Sequence, residues 1–182
     1  PQPLYLVGHS FGGHACVWYS DDGGDSYNVS EILVGNEVSV AELSDGRILM
    51  NGRGSKYPFG PGHRVRYWSY DGEPRPRSLP AARAIAQTSL EAELLCTDGA
   101  SWSQGEESPL PGDDGSTCER SLINIGGVLY SAEPQGPGRS RMVLQCSRNQ
   151  GLSWNSSVVI NGNAAGGYSS LAGPVPTASG AE

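Results

Sequence analysis

Short apolar runs alternate with polar, glycine-rich breaks along the whole chain. Residues 4–7 and 15–19 are two such runs. Residues 38–43 and 48–51 flank Ser44-Asp45-Gly46, and residues 122–125 and 128–131 flank Gly126-Gly127. Residues 64–70 alternate Arg64, Arg66 and Trp68 with Val65 and Tyr67, and residues 142–146 form a further run. Runs this short, bounded by turn residues, predict β-strands, and Asp-Gly or Gly-Gly between two runs predicts hairpins. The expected fold class is all-β.

Several runs end in one recurrent string. Ser20-Asp21-Asp22-Gly23-Gly24-Asp25-Ser26-Tyr27 and Ser147-Arg148-Asn149-Gln150-Gly151-Leu152-Ser153-Trp154 both fit the Asp-box pattern S-x-[D/N]-x-G-x-x-[W/F/Y]. In such a turn the carboxylate or amide is expected to accept backbone N–H groups two residues on. Glycine supplies a positive φ, and the aromatic packs under the turn. Ser69-Tyr70-Asp71-Gly72-Glu73 starts like a box and degenerates, and Cys96-Thr97-Asp98-Gly99-Ala100-Ser101-Trp102 is box-like but one residue short. The unit of hairpin, third strand, box and outer strand thus occurs about three times. The box serines at 20, 69 and 147 lie 49 and 78 residues apart. The first spacing suits one four-stranded propeller blade. The second is too long, and its surplus, residues 80–117, reads as an insertion or long loop in which 81–95 can alternatively form a short helix.

Composition narrows the function. A chain of 182 residues can bury a core as one domain. The net charge of −7 disfavours nucleic acid as a partner, because phosphate binding needs a basic face. No run approaches the roughly 18 apolar residues of a membrane span. Cys16, Cys96, Cys118 and Cys146 are widely spaced with no C-x-x-C pair, so no metal site and no cofactor are expected. Free thiols and disulfides remain equally open. Asn28-Val29-Ser30 and Asn155-Ser156-Ser157 fit the glycosylation sequon and lean toward a lysosomal or secreted setting. The first residue is Pro and no apolar signal core follows, so a fragment or mature segment is expected.

Two strings carry candidate chemistry. Gly8-His9-Ser10-Phe11-Gly12 after an apolar run fits the G-x-S-x-G nucleophile elbow of an α/β-hydrolase, with Ser10 as the nucleophile of an esterase. Against it, an elbow opens a helix, and Ser20-Asp21-Asp22-Gly23-Gly24 breaks the chain a turn or two later. The histidines that follow, His14 and His63, leave no room for the rest of a sheet. The other string is Gly166-Gly167-Tyr168-Ser169-Ser170-Leu171, shortly after the last box.

With these motifs assembled, residues 3–172, apart from 80–111, resemble the non-viral exo-α-sialidases of glycoside hydrolase family 33, lysosomal and bacterial types. Three segments carry the resemblance. One runs from Asn36-Glu37-Val38 through Asp45-Gly46 to Asn51-Gly52-Arg53. Another runs from Cys118-Glu119-Arg120-Ser121-Leu122 to Arg139 and the box at Ser147. The third is Gly167-Tyr168-Ser169-Ser170-Leu171. The resemblance implies a six-bladed β-propeller, of which three to four blades are present in residues 1–172, with 173–182 as a divergent tail. It also implies Tyr168 as nucleophile, Glu37 as its partner, and Arg53 and Arg139 as ligands of the sialic acid carboxylate. Arg53 stands sixteen residues after Glu37, and Arg139 eight before Ser147, with Arg141 a near-register competitor.

The chemistry suits these residue types. A guanidinium binds a carboxylate through a planar fork of donors. A carboxylate nucleophile would be repelled by the substrate's own carboxylate, whereas a phenol is neutral and needs a neighbouring base to take its proton. Tyr nucleophiles in sialidases are an exception to the two-carboxylate rule of glycosidases. The implied partner is a sialylated glycan. The family's first arginine and acid/base Asp match nothing here, so roughly two N-terminal blades are expected to be missing and the 182-residue chain alone to be inactive. The alternative is a sialic-acid-binding or scaffold propeller without turnover.

Overall fold

The computed structural model describes residues 4–9, 13–20, 22–54, 64–69, 102–103, 105–107, 118–162 and 166–173. They form three antiparallel four-stranded sheets. The first holds β1 (Leu4–His9), β2 (His14–Ser20), β3 (Asn28–Val29) and β4 (Leu33–Val34), with β2 between β1 and both short strands. The second runs β5 (Asn36–Glu42), β6 (Ile48–Arg53), β7 (Arg64–Ser69) and β8 (Glu106–Glu107) in sequence order. The third runs β9 (Ser121–Ile125), β10 (Val128–Gln135), β11 (Arg141–Ser147) and β12 (Ser156–Asn161) in the same manner.

The predicted hairpins are present. Gly126 and Gly127 take φ of 58° and 84°, the left-handed pair that a two-residue β9–β10 turn requires. The first strands of successive sheets, β1, β5 and β9, lie against one another. One apolar core lies between the first two sheets, joining Ala15, Val17 and Leu33 to Val38, Met50, Val65 and Trp102. A second lies between the second and third sheets, joining Ala41, Leu43, Leu49 and Trp68 to Leu122, Leu129 and Trp154.

The boxes close alike. Ser20 Oγ accepts Gly24 N–H at 2.8 Å, and Ser147 Oγ accepts Gly151 N–H at 2.9 Å. Asp22 Oδ1 accepts Ser26 N–H and Asn149 Oδ1 accepts Ser153 N–H, both at 2.9 Å. This bond reaches four residues on rather than the expected two, because the glycine between them folds the next residues back over the acceptor. The residue after the aromatic then pairs with the residue before the serine: Asn28 with Tyr19, and Asn155 N–H to Cys146 carbonyl at 3.3 Å.

The second sheet shows the same closure across a much longer stretch. Ser69 bridges Trp102, and Ser103 N–H donates to the Trp68 carbonyl at 2.8 Å. Trp102 is buried like Trp154. Within 80–117, therefore, Trp102, Ser103 and β8 belong to the second sheet. Residues 81–95 and 174–182 lie outside the described residues.

A further expectation changes at Tyr27. Tyr27 does not pack under its turn but is 42% exposed. Trp102 and Trp154 are each covered by the preceding sheet, and among the described residues no sheet precedes the first. Ser10, the nucleophile of the esterase alternative, lies outside the described residues. But β2 follows as a strand antiparallel to β1, His9 facing Ala15, where an elbow needs a helix. Cys16, Cys118 and Cys146 are free thiols.

Candidate active site

Four side chains far apart in sequence are gathered at the end of the second and third sheets. Glu37 enters from β5. Asn36 pairs with Arg53 and Ser39 with Asn51, so Glu37 and Val38 together oppose Gly52 in a β-bulge. The bulge gives Glu37 a φ of 46° and drives Val38 over Gly52, where an added Cβ would stand 2.7 Å from Val38 Cγ1. Glu37 is 7% exposed.

Arg53 ends β6, and its Nη1 donates to Glu37 Oε1 at 3.2 Å and Oε2 at 3.1 Å. Tyr168 reaches the same carboxylate from the segment after β12, its hydroxyl donating to Glu37 Oε1 at 2.9 Å. Tyr168 is 56% exposed. Arg139 sits in the β10–β11 turn with φ of 59°, its N–H donating to the Gly136 carbonyl at 2.9 Å. Its Nη1 lies 3.6 Å from where a Cβ on Gly167 would be. The charge of Arg139 acts on both Tyr168 and Cys118, whereas Arg141 lies exposed on β11 opposite Gln135. Glu37 and Arg139 are two of the three described non-glycine residues with positive φ, a conformation that is sustained only where the surroundings enforce it.

The hydrogen bond to Glu37 raises the phenol of Tyr168 above its ordinary value of 10.0, with the Glu37 charge adding to it and Arg139 opposing. Tyr168 is therefore a protonated phenol aimed at a carboxylate. Such an arrangement suits proton transfer during attack rather than a pre-formed phenolate.

Sequence reading missed the supporting layer. Cys118 is buried, and its thiol meets the Gly167 carbonyl. Burial pushes this thiol up, against the pull of Arg139. Arg64 donates through Nη2 to the Cys118 carbonyl at 2.7 Å and to Glu133 Oε2 at 2.5 Å. Arg120 Nε donates to the same Glu133 oxygen at 2.7 Å, its Nη2 contacts Oε1, and Gln135 Nε2 donates to Oε1 at 2.8 Å. Arg64, Arg120 and Glu133 are all buried. Charged residues at alternate strand positions read as outward-facing in a sequence, and only the packing of two sheets shows otherwise. Among the described residues no cluster of His, Cys, Asp and Glu is arranged to hold a metal ion.

No protein-family model matches the chain, and no curated protein sequence does. Among solved structures it is similar to the "Hadza microbial sialidase Hz136", with a TM-score of 0.56 and 21% identity over 87% of this chain. The chain has a partial sialidase-like fold. It spans 27% of the length of that sialidase. The sialidase-like portion is the three antiparallel sheets, and the Glu37–Tyr168 contact sits where the second and third sheets present their ends. No helix among the described residues is long and apolar enough to cross a membrane.

Proposed function

We propose that this chain carries part of the active site of an exo-α-sialidase, which hydrolyses terminal α-linked sialic acids of glycoconjugates with net retention. In this reading the three sheets are blades of a six-bladed propeller. The supporting observation is that the Tyr168 hydroxyl and the Arg53 guanidinium meet on the one carboxylate of Glu37.

Arg53 and Arg139 hold the substrate carboxylate next to the anomeric carbon. Glu37 takes the phenolic proton as Tyr168 Oη attacks that carbon and the bond to the aglycone oxygen breaks. Water then attacks the anomeric carbon of the glycosyl-tyrosine and gives up its proton to the outside group that had protonated the aglycone oxygen, while Glu37 returns its proton to the departing phenol. The proton for the aglycone oxygen comes from outside these four residues.

Calorimetry with the 2,3-dehydrated analogue of sialic acid tests the binding half. The chain is expected to bind it, and Arg53→Ala or Arg139→Ala to weaken binding roughly 10- to 100-fold, the worth of a charged hydrogen bond. A fluorogenic sialoside tests the chemistry. The 182-residue chain is expected to be inactive, and a longer protein containing it to lose turnover on Tyr168→Phe. Absence of analogue binding sinks the reading. Binding by that longer protein without turnover converts it to a sialic-acid-binding propeller.

A further inference from the structure

We infer that Cys118 and Ser169 are positioning residues for Tyr168, fixing the main chain on either side of it so that the phenol meets Glu37. The inference rests on the reading of Tyr168 as nucleophile. Its geometry involves this chain alone.

Tyr168 is more than half exposed, so no packed socket fixes its ring. Residues 166–173 belong to no helix or strand, so no backbone ladder fixes the segment either. Two side-chain contacts with the flanking residues do. On one side the Gly167 carbonyl meets the Cys118 thiol. On the other the Ser169 hydroxyl lies against the Ala132 carbonyl, 3.0 Å from the Ser121 hydroxyl, and accepts the Ser121 N–H at 3.3 Å.

The anchors are themselves held. Ser121 and Ala132 are a cross-strand pair of β9 and β10. The Cys118 carbonyl takes the buried Arg64 guanidinium, which is tied to Glu133. Glu37, by contrast, stands on the second sheet. A hydrogen bond needs its heavy atoms within about 2.6–3.2 Å, so slack of an ångström in residues 167–169 breaks the contact.

The chemical types fit the task. A buried thiol stays protonated and is a neutral donor toward a carbonyl, whereas a thiolate would repel both that oxygen and the Glu37 carboxylate. A serine hydroxyl offers one donor and two lone pairs, enough to give to Ala132 and accept from Ser121.

The test is the ionisation of Tyr168 alone, followed by NMR of ring-labelled tyrosine with the signal assigned by Tyr168→Phe. In the parent chain Tyr168 titrates above ordinary tyrosine because its proton bridges to Glu37. Ser169→Ala and Cys118→Ala are each expected to return it toward the ordinary value, leaving the other tyrosines in place. Ser169→Thr, which keeps the hydroxyl, is expected to titrate like the parent. If one alanine variant fails to fold, the other decides. An unmoved Tyr168 titration, a shift shared by all tyrosines, or a threonine variant that behaves like alanine overturns the inference. The titration needs no substrate. Its failure removes the clamp and leaves the functional reading standing, whereas failure to bind the sialic acid analogue removes the functional reading whatever the Tyr168 titration shows.

Discussion

At the scale of single residues, the same side-chain types do different work according to what surrounds them. Asp22 is held far below its ordinary value of 3.8, first by the Ser26 hydroxyl, then by Ser26 N–H and the Ser20 hydroxyl. A carboxyl whose folded value is depressed contributes stability that is complete above its unfolded value and is lost as pH falls through the folded one. The first box is therefore expected to weaken as pH drops below about 3.8. Asn149 fills the equivalent place in the last box with an amide that does not titrate. Asp22→Asn is thus expected to keep the turn and flatten the acid-side loss, read as thermal midpoints across an acid pH series. A variant with the parent's acid sensitivity refutes this role for Asp22. Glu37, Arg53, Arg139 and Tyr168 were singled out in the sequence by resemblance to the sialidases, and the chain brings Arg53 and Tyr168 onto the Glu37 carboxylate. Cys118 was not, because a thiol's role depends on its burial and on which carbonyl faces it.

At the scale of elements, turn chemistry was the readable part. Asp45-Gly46 and Gly126-Gly127 mark hairpins that the chain makes. Boxes at Ser20 and Ser147 mark the return to an outer strand. The bulge at Glu37 was not readable, since Asn36-Glu37-Val38 looks like any strand start. The second box was legible only as two unrelated scraps. The bridge between Ser69 and Trp102 gives them one closure. Joining Asp71 directly to Asp98 would produce Ser-Tyr-Asp-Asp-Gly-Ala-Ser-Trp, a full box between those bridge partners. A variant lacking residues 72–97 is expected to keep the parent's strand content by circular dichroism and to melt no lower. A lower midpoint or lost strand signal would show that those residues support the second sheet.

At the scale of the whole molecule, the sheets are joined by apolar cores and by a buried ionic knot. Arg64 comes from the second sheet, while Glu133 and Gln135 come from the third. Removing one partner of a buried pair costs about 3–5 kcal/mol because it strands the other charge. Glu133→Gln, which leaves two buried guanidiniums on a neutral amide, is expected to destabilise by that order in urea unfolding. A change under about 1 kcal/mol would place Glu133 among weak surface-type pairs.

The sequence by itself determined the strand-and-turn grammar, because alternation and turn residues act within a few positions of the chain. Its resemblance to the sialidases also singled out Glu37, Arg53, Arg139 and Tyr168 as the residues to look for. Tertiary structure decided which sheet covers which aromatic, so that Trp102 and Trp154 are buried and Tyr27 is not. It decided that Arg64 and Arg120 point inward, and that Glu37 meets Tyr168 across 131 residues of chain. These outcomes depend on the facing of one sheet by another, a relation that no local pattern in the chain encodes.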